Sequence, residues 1–161
     1  MRMNKQLIAD ALVLAGTGLW YAFRPERLFV NATVSESLGD VARDPASVTA
    51  LAIGTFHSVH HDTKGTASIL SVQGGARVLR LTDFETSNGP DVRVYLVAAA
   101  DAMDNETVST SGFVELGPLK GNIGDQNYEV PATVDLARYR TVTIWCKRFG
   151  VNFGSAPLSA S

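Results

Sequence analysis

The chain has 161 residues and a single cysteine, Cys146. One thiol excludes an intrachain disulfide, a CxxC redox pair, haem attachment through CxxCH, and a four-cysteine zinc or iron–sulfur site within one chain. Charge is also sparse. Charged residues make up 19%, the formal net charge is −2, and no block of Lys or Arg occurs. Nucleic acid is bound through clustered cations, so it is set aside as a partner. No GxSxG, HExxH or phosphate-loop pattern is present, which removes three large classes of hydrolase and nucleotide enzyme. Asp91, Asp125 and Asp135 are too scattered to read as a carboxylate pair. After residue 50 no amphipathic helix of ten or more residues can be traced.

Hydrophobic residues account for 45% of the chain, enough for a packed core. The longest apolar run is "LIADALVLAGTGLWYAF", residues 7–23, with one acid, Asp10. Its length lies at the short end of the range of about 17–25 residues for a transmembrane helix. Trp20 and Tyr21 fall near its end, where an interfacial aromatic belt would place them. Residues 1–27 are therefore expected to be an N-terminal membrane anchor with one transmembrane helix over residues 7–23, making the membrane a partner of the chain. A cleaved signal peptide is a rival, because Ala15-Gly16-Thr17 offers a weak cleavage site; the apolar run continues beyond it to Phe23. A buried soluble helix is a third reading. No cysteine follows Leu14-Ala15-Gly16, which excludes a lipoprotein anchor. Arg2 and Lys5 before the span nearly balance Arg24, Glu26 and Arg27 after it. A lone anchor at the extreme N-terminus sends the remainder of the chain outward, so the domain is expected on the extracytoplasmic side. Residues 28–50 are small, polar and acidic and read as a linker with a helical turn near Ser35–Val41. The globular domain is expected over residues 51–161.

From Leu51 onward, short alternating runs lie between Gly, Pro and Asn turns. "TASILSV" (66–72) and "ARVLRLT" (76–82) flank Gln73-Gly74-Gly75 and read as a hairpin. "DVRVYLVA" (91–98) sets Val92, Val94, Leu96 and Ala98 on one face and Arg93 and Tyr95 on the other, a strand with one buried face. A short strand is expected around Tyr128 and a last one in "TVTIWCKRF" (141–149). The pattern predicts an all-β sandwich or small barrel of short antiparallel strands.

In the last strand, Val142, Ile144 and Cys146 share one face, and Thr141, Thr143 and Trp145 the other. Among aliphatics a thiol is commonly an inert core residue. Lys147 and Arg148 follow at once, and two cations beside the sulfur would favour thiolate. Both readings stay open. The histidines fall in "HSVHH": His57, His60 and His61. On a strand His57 and His61 face opposite to His60, so structural roles are expected and no metal site is assigned. A blue-copper centre is rejected, since neither His nor Met follows Cys146. The glycines of "LKGNIGDQNY" (119–128) could cradle a ligand, but are expected to serve left-handed turns.

Gly54, Phe56, His61 and Gly65, then "NGPDVRVYL" (88–96), "LGPLKGNIGDQNYEVP" (116–131) and "TVTIWCKRFGVNFGSAPL" (141–158) form a specific combination. Over residues 52–158 the chain resembles the DM-thirteen domain, a family found alone in bacteria and beside DOMON domains in animals. The resemblance implies a β-rich electron-transfer domain whose proposed role rests on a cysteine, matched here by Cys146. Gly89, Gly121 and Gly124 also match; the anchor and linker lie outside. The expectation is a membrane-tethered redox domain centred on Cys146 as the candidate redox thiol. One thiol cannot form an internal disulfide, so it would need a mixed disulfide, a sulfenate, or a cofactor from a redox protein partner. The sequence names no cofactor. The alternative is a non-catalytic binding module with Cys146 as a core residue.

Overall fold

The computed structural model describes residues 5–23, 30–42 and 44–161. Thirteen of the elements are labelled here in chain order: α1 (Lys5–Phe23), β1 (Thr33–Ser35), β2 (Thr49–Thr55), β3 (His57–Ser58), β4 (Lys64–Ser71), β5 (Arg77–Glu85), β6 (Val92–Val97), α2 (Asn105–Thr110), β7 (Phe113–Pro118), β8 (Ile123–Val130), β9 (Thr141–Cys146), β10 (Val151–Pro157) and β11 (Ser159–Ala160). The strands form two sheets, ordered β1-β8-β5-β4-β2-β11 and β3-β10-β9-β6-β7. All pairings are antiparallel except β1 with β8. The fold is thus the expected all-β sandwich, not a closed barrel.

The hairpin read at Gly74-Gly75 is β4–β5. Both glycines take positive φ, +84° and +80°, which a side chain would resist. One continuous core fills the space between the sheets. Ile69, Leu79, Leu81 and Phe84 of the first sheet pack in it with Val94, Leu96, Val142 and Ile144 of the second. Burial of this apolar surface is the main force holding the layers together.

Strand β6 departs from the expected one-sided pattern. Tyr95 and Val97, on its outer face, are as buried as Val94 and Leu96 on its inner face. The cause is the segment 98–112, which folds back over the outer face of the second sheet. Its α2 is capped by Asp104, whose carboxylate accepts from Thr107 N at 2.7 Å. Ala102 and Val108 close a second small core with Tyr95, Val97 and Trp145.

Residues 28–50, read as a linker, contribute the edge strand β1. Thr33, Val34 and Ser35 pair with Ile123, Gly124 and Asp125. Glu36 accepts from Lys120 Nζ at 2.7 Å and from Asn127 N at 2.7 Å. The turn near Ser35–Val41 is present as a 3₁₀ turn at Leu38–Asp40. Gly124, at φ +99°, lies so close to β1 that an added Cβ would strike the Val34 carbonyl oxygen.

The transmembrane helix is not supported. A helix does form at Lys5–Phe23, but no described helix is long and apolar enough to cross a membrane. Gln6 and Asp10 lie in its first half, and Gly16-Thr17-Gly18 interrupts the second, so the apolar stretch is diluted. The flanking charges Arg2, Arg24, Glu26 and Arg27 lie outside the described residues.

The β1 contact makes a prediction. A chain starting at residue 51 should remain predominantly β by circular dichroism yet unfold at lower urea than one starting at residue 30. Gly124→Ala should destabilise the longer chain by about 1–3 kcal/mol. The cost should shrink in the shorter chain, where the steric part of the conflict is gone. Equal costs in both would show that Val34 is not the obstacle.

Candidate functional site

Cys146 ends β9, the central strand of the five-stranded sheet. Its register partners are Val92 on β6 and Val151 on β10. The side chain is fully buried in the inter-sheet core with Val92, Val142 and Ile144. The strand ends there, as the cation argument requires, but Lys147 does not serve the sulfur. Its ammonium pairs with Glu115 Oε2 at 3.0 Å, and Glu115 in turn reaches Tyr95 on the outer face of the sheet. The Lys147 amide donates to the Asp91 carbonyl at 2.8 Å.

The three histidines are not brought together on one site. His57 Nε2 lies 2.9 Å from Asp101 Oδ1, which ties β3 to the segment covering the second sheet. His60 Nδ1 lies 3.1 Å from the Asn152 carbonyl oxygen. His61 stands with its ring centroid 3.9 Å from that of Phe153. Among the described residues no group of three or more His, Cys, Asp or Glu is placed to hold a metal ion.

The loop 119–128 is filled by the chain itself. Gly121 and Gly124 admit the backbone around Ala32 and Val34. Asn122 binds Ala32 N through Oδ1 and donates to Asn31 and to the Thr86 carbonyl. Tyr128 OH accepts from Lys120 N at 3.0 Å and donates to the buried Gln126 at 2.8 Å. A cleft of about 470 Å³ opens beside this loop, lined among others by Asn88, Asp91, Val92, Arg93 and Asn122. Its charged and amide groups are already partnered: Arg93 with Asp91 at 2.6 Å, and Asn88 with Asn31 at 3.0 Å.

Residues 55–158, spanning both sheets and ending beyond Cys146, match the family model described as electron transfer DM13. The chain belongs to the DM13 family. No curated protein and no solved structure matches it.

This DM13 domain also carries a constellation that strand alternation alone does not single out. On the outer face of the second sheet, Tyr95 stacks on Phe113 with centroids 4.4 Å apart and planes 10° apart. Trp145 lies 6.4 Å from Tyr95. Tyr95 is 1% exposed, Trp145 7% and Phe113 46%, so the row runs from the interior to the surface. The Tyr95 hydroxyl donates to Glu115 Oε2 at 3.4 Å. Glu115 Oε1 accepts from Arg93 Nη1 at 2.9 Å. Loss of solvent on burial, aided by the Glu115 carboxylate, pushes the Tyr95 phenol up to about 12. The signal in the sequence is Tyr95 and Trp145 on strand faces otherwise assigned to solvent; the segment that covers them leaves no local mark.

An acid whose pKa is raised by folding holds its proton more tightly in the native state. Its contribution is therefore fully present below the unfolded value of about 10 and is lost as pH rises through the native one. Stability in urea should fall between about pH 10 and pH 12, and Tyr95→Phe should flatten that fall. An unchanged slope in the variant would refute the shift.

Proposed function

We propose that this chain is an electron-transfer domain with Cys146 as its redox group. The observation that carries the reading is the match of residues 55–158 to a family described by electron transfer. The cysteine at the end of "TVTIWC" is the only thiol in the chain, so thiol chemistry here has a single address. Its burial constrains the form of that chemistry. A mixed disulfide needs a partner sulfur within bonding distance, about 2 Å. In the native fold that side chain is fully buried in the inter-sheet core, with Val92 and Val151 as its register partners on the flanking strands. Thiol exchange would therefore require opening of the β9 end, whereas single-electron transfer across the covering layer would not.

The domain is held at a membrane through α1, on the extracytoplasmic side, with a redox protein as its partner. Support for attachment is the exposure of Leu12, Val13, Leu14, Trp20 and Tyr21 along α1. Carbonate extraction of the full chain tests it: retention in the pellet is expected, and quantitative release would remove the attachment.

The burial of Cys146 favours a second reading, a non-catalytic binding module in which sulfur is core filler. Thiol labelling, read together with substitutions at Cys146, separates the two. The core-filler reading expects slow labelling of native protein and fast labelling after unfolding. It also expects Cys146→Ser to cost about 1–3 kcal/mol, because a hydroxyl would be buried without a ready partner. Cys146→Ala should cost less. The redox reading expects both substitutions to abolish electron exchange with a partner, beyond any loss of stability. Full exchange in Cys146→Ala would eliminate Cys146 as the redox group.

A further inference from the structure

The outer face of the second sheet holds a group that a thiol-centred function does not use. Tyr95 is a buried phenol whose ring stacks on a half-exposed Phe113 and whose hydroxyl addresses a carboxylate. Stacking of this kind stabilises packing by about 0.5–1.5 kcal/mol, which accounts for the rings. It does not account for the hydroxyl, since a phenylalanine would stack as well. Nor does Glu115 need Tyr95 as a partner. Arg93 and Lys147 already satisfy it at 2.9 Å and 3.0 Å.

We propose that Tyr95 is a proton-coupled one-electron relay, with Glu115 as its proton acceptor and Phe113 as the port to a high-potential one-electron oxidant. In the step, Tyr95 gives one electron to the oxidant across the Phe113 ring. Its phenolic proton passes to Glu115 Oε2. The products are a neutral tyrosyl radical, a protonated Glu115 and an oxidant reduced by one electron. A one-electron reductant reverses the step, and the proton returns from Glu115. The geometry meets each requirement. The acceptor oxygen sits on the hydroxyl at 3.4 Å, within the looser range of a site without its partner bound. A phenol that has lost an electron becomes a strong acid, so even a carboxylate paired with two cations takes its proton. Those cations, Arg93 and Lys147, fix Glu115 in place and balance its charge before transfer. Burial opposes ionisation of Tyr95 without oxidation, which favours movement of proton and electron together. Trp145, with its ring centroid 6.4 Å from that of Tyr95 and preceding Cys146 in sequence, continues the row across the outer face onto the central strand.

The relay deepens the electron-transfer reading but does not depend on the thiol. Its test uses the full chain carrying Tyr21→Phe, which removes the exposed competitor, with photogenerated tris(bipyridine)ruthenium(III) as oxidant. A neutral tyrosyl radical should appear by transient absorption and electron paramagnetic resonance, and form more slowly in deuterium oxide. It should be lost in Tyr95→Phe and retained in Tyr128→Phe and Tyr139→Phe. Glu115→Gln, whose amide oxygen can still accept the hydrogen bond but cannot take the proton, should lose most of the radical yield. Phe113→Leu should slow its formation. Persistence of the radical in Tyr95→Phe, or an unchanged yield and isotope effect in Glu115→Gln, overturns the proposal. Cys146→Ala should keep the radical, and loss of it there also overturns the relay. A chain with an inert thiol and an intact Tyr95 radical separates the two ideas: the Cys146-centred reading fails and the relay stands.

Discussion

Strand β9 is buried along its whole length, and each of its faces packs against a different layer. On one face Val142, Ile144 and Cys146 close the core between the sheets; on the other Thr141, Thr143 and Trp145 lie under the segment 98–112. The outer face is partly polar, so its cover must supply hydrogen bonds as well as apolar contact. Thr141 donates to the Ala99 carbonyl at 2.9 Å, and Thr143 and Ser155 bond one another at 3.0 Å. The Asn152 side chain donates to the Ala102 carbonyl at 2.9 Å, while its backbone amide donates to Asn105 Oδ1 at 2.7 Å. Buried hydroxyls and amides without such partners would each cost on the order of 1–3 kcal/mol. The cover is therefore not an interchangeable loop. It is matched to the strand beneath it, and the positions of Tyr95, Trp145 and Cys146 all depend on that match.

The family pattern is spent on two different tasks. "NGPDVRVYL" and "TVTIWCKRF" supply β6 and β9, which set the thiol and the aromatic row on opposite faces of one sheet. The glycines of "LKGNIGDQNY" serve the other sheet, where they let β1 lie against β8 with no side chain between. A glycine-rich loop expected to serve left-handed turns, with a ligand cradle as the alternative, here accepts the chain's own strand β1. Lys120 secures the arrangement from both sides, through Glu36 and through the Asn127 carbonyl at 2.7 Å. The same loop chemistry, close backbone approach permitted by a missing Cβ, supports either use, and only the position of residues 30–36 distinguishes them.

Legibility in the sequence tracks the range of the interaction responsible. The β4–β5 hairpin is legible because its two glycines and alternating flanks act over a few residues. The inward set Val142, Ile144 and Cys146 is legible because alternation has a period of two. The second buried face is not. Nothing local in "DVRVYLVA" announces that a segment beginning after it will return to cover Tyr95 and Val97, and Arg93 between the valines reads as a solvent residue. Strand β1 escapes the pattern for a related reason. Three residues with a composition suited to a linker become a strand through parallel pairing with residues about ninety positions later. At the N-terminus the apolar run does form a helix but falls short of a membrane span, since Gln6, Asp10 and the Gly-Thr-Gly sequence reduce its apolar content without breaking its helicity.

The two faces of β9 also frame how a redox role could work in this fold. Thiol exchange is contact chemistry. It would require Cys146 to leave a core where it is fully buried, and the strand end that would have to open is held by Val92 and Val151 on both sides. Such opening draws on local stability and is slow where the backbone is paired and packed. Electron transfer has no such requirement, because it needs proximity and a matched acceptor rather than bond formation. The outer face offers proximity at Phe113 and a proton acceptor at Glu115 without disturbing a single backbone hydrogen bond. For a domain this firmly packed, chemistry that leaves the sheets closed is physically the less costly route, and the aromatic row is where the closed fold meets the surface.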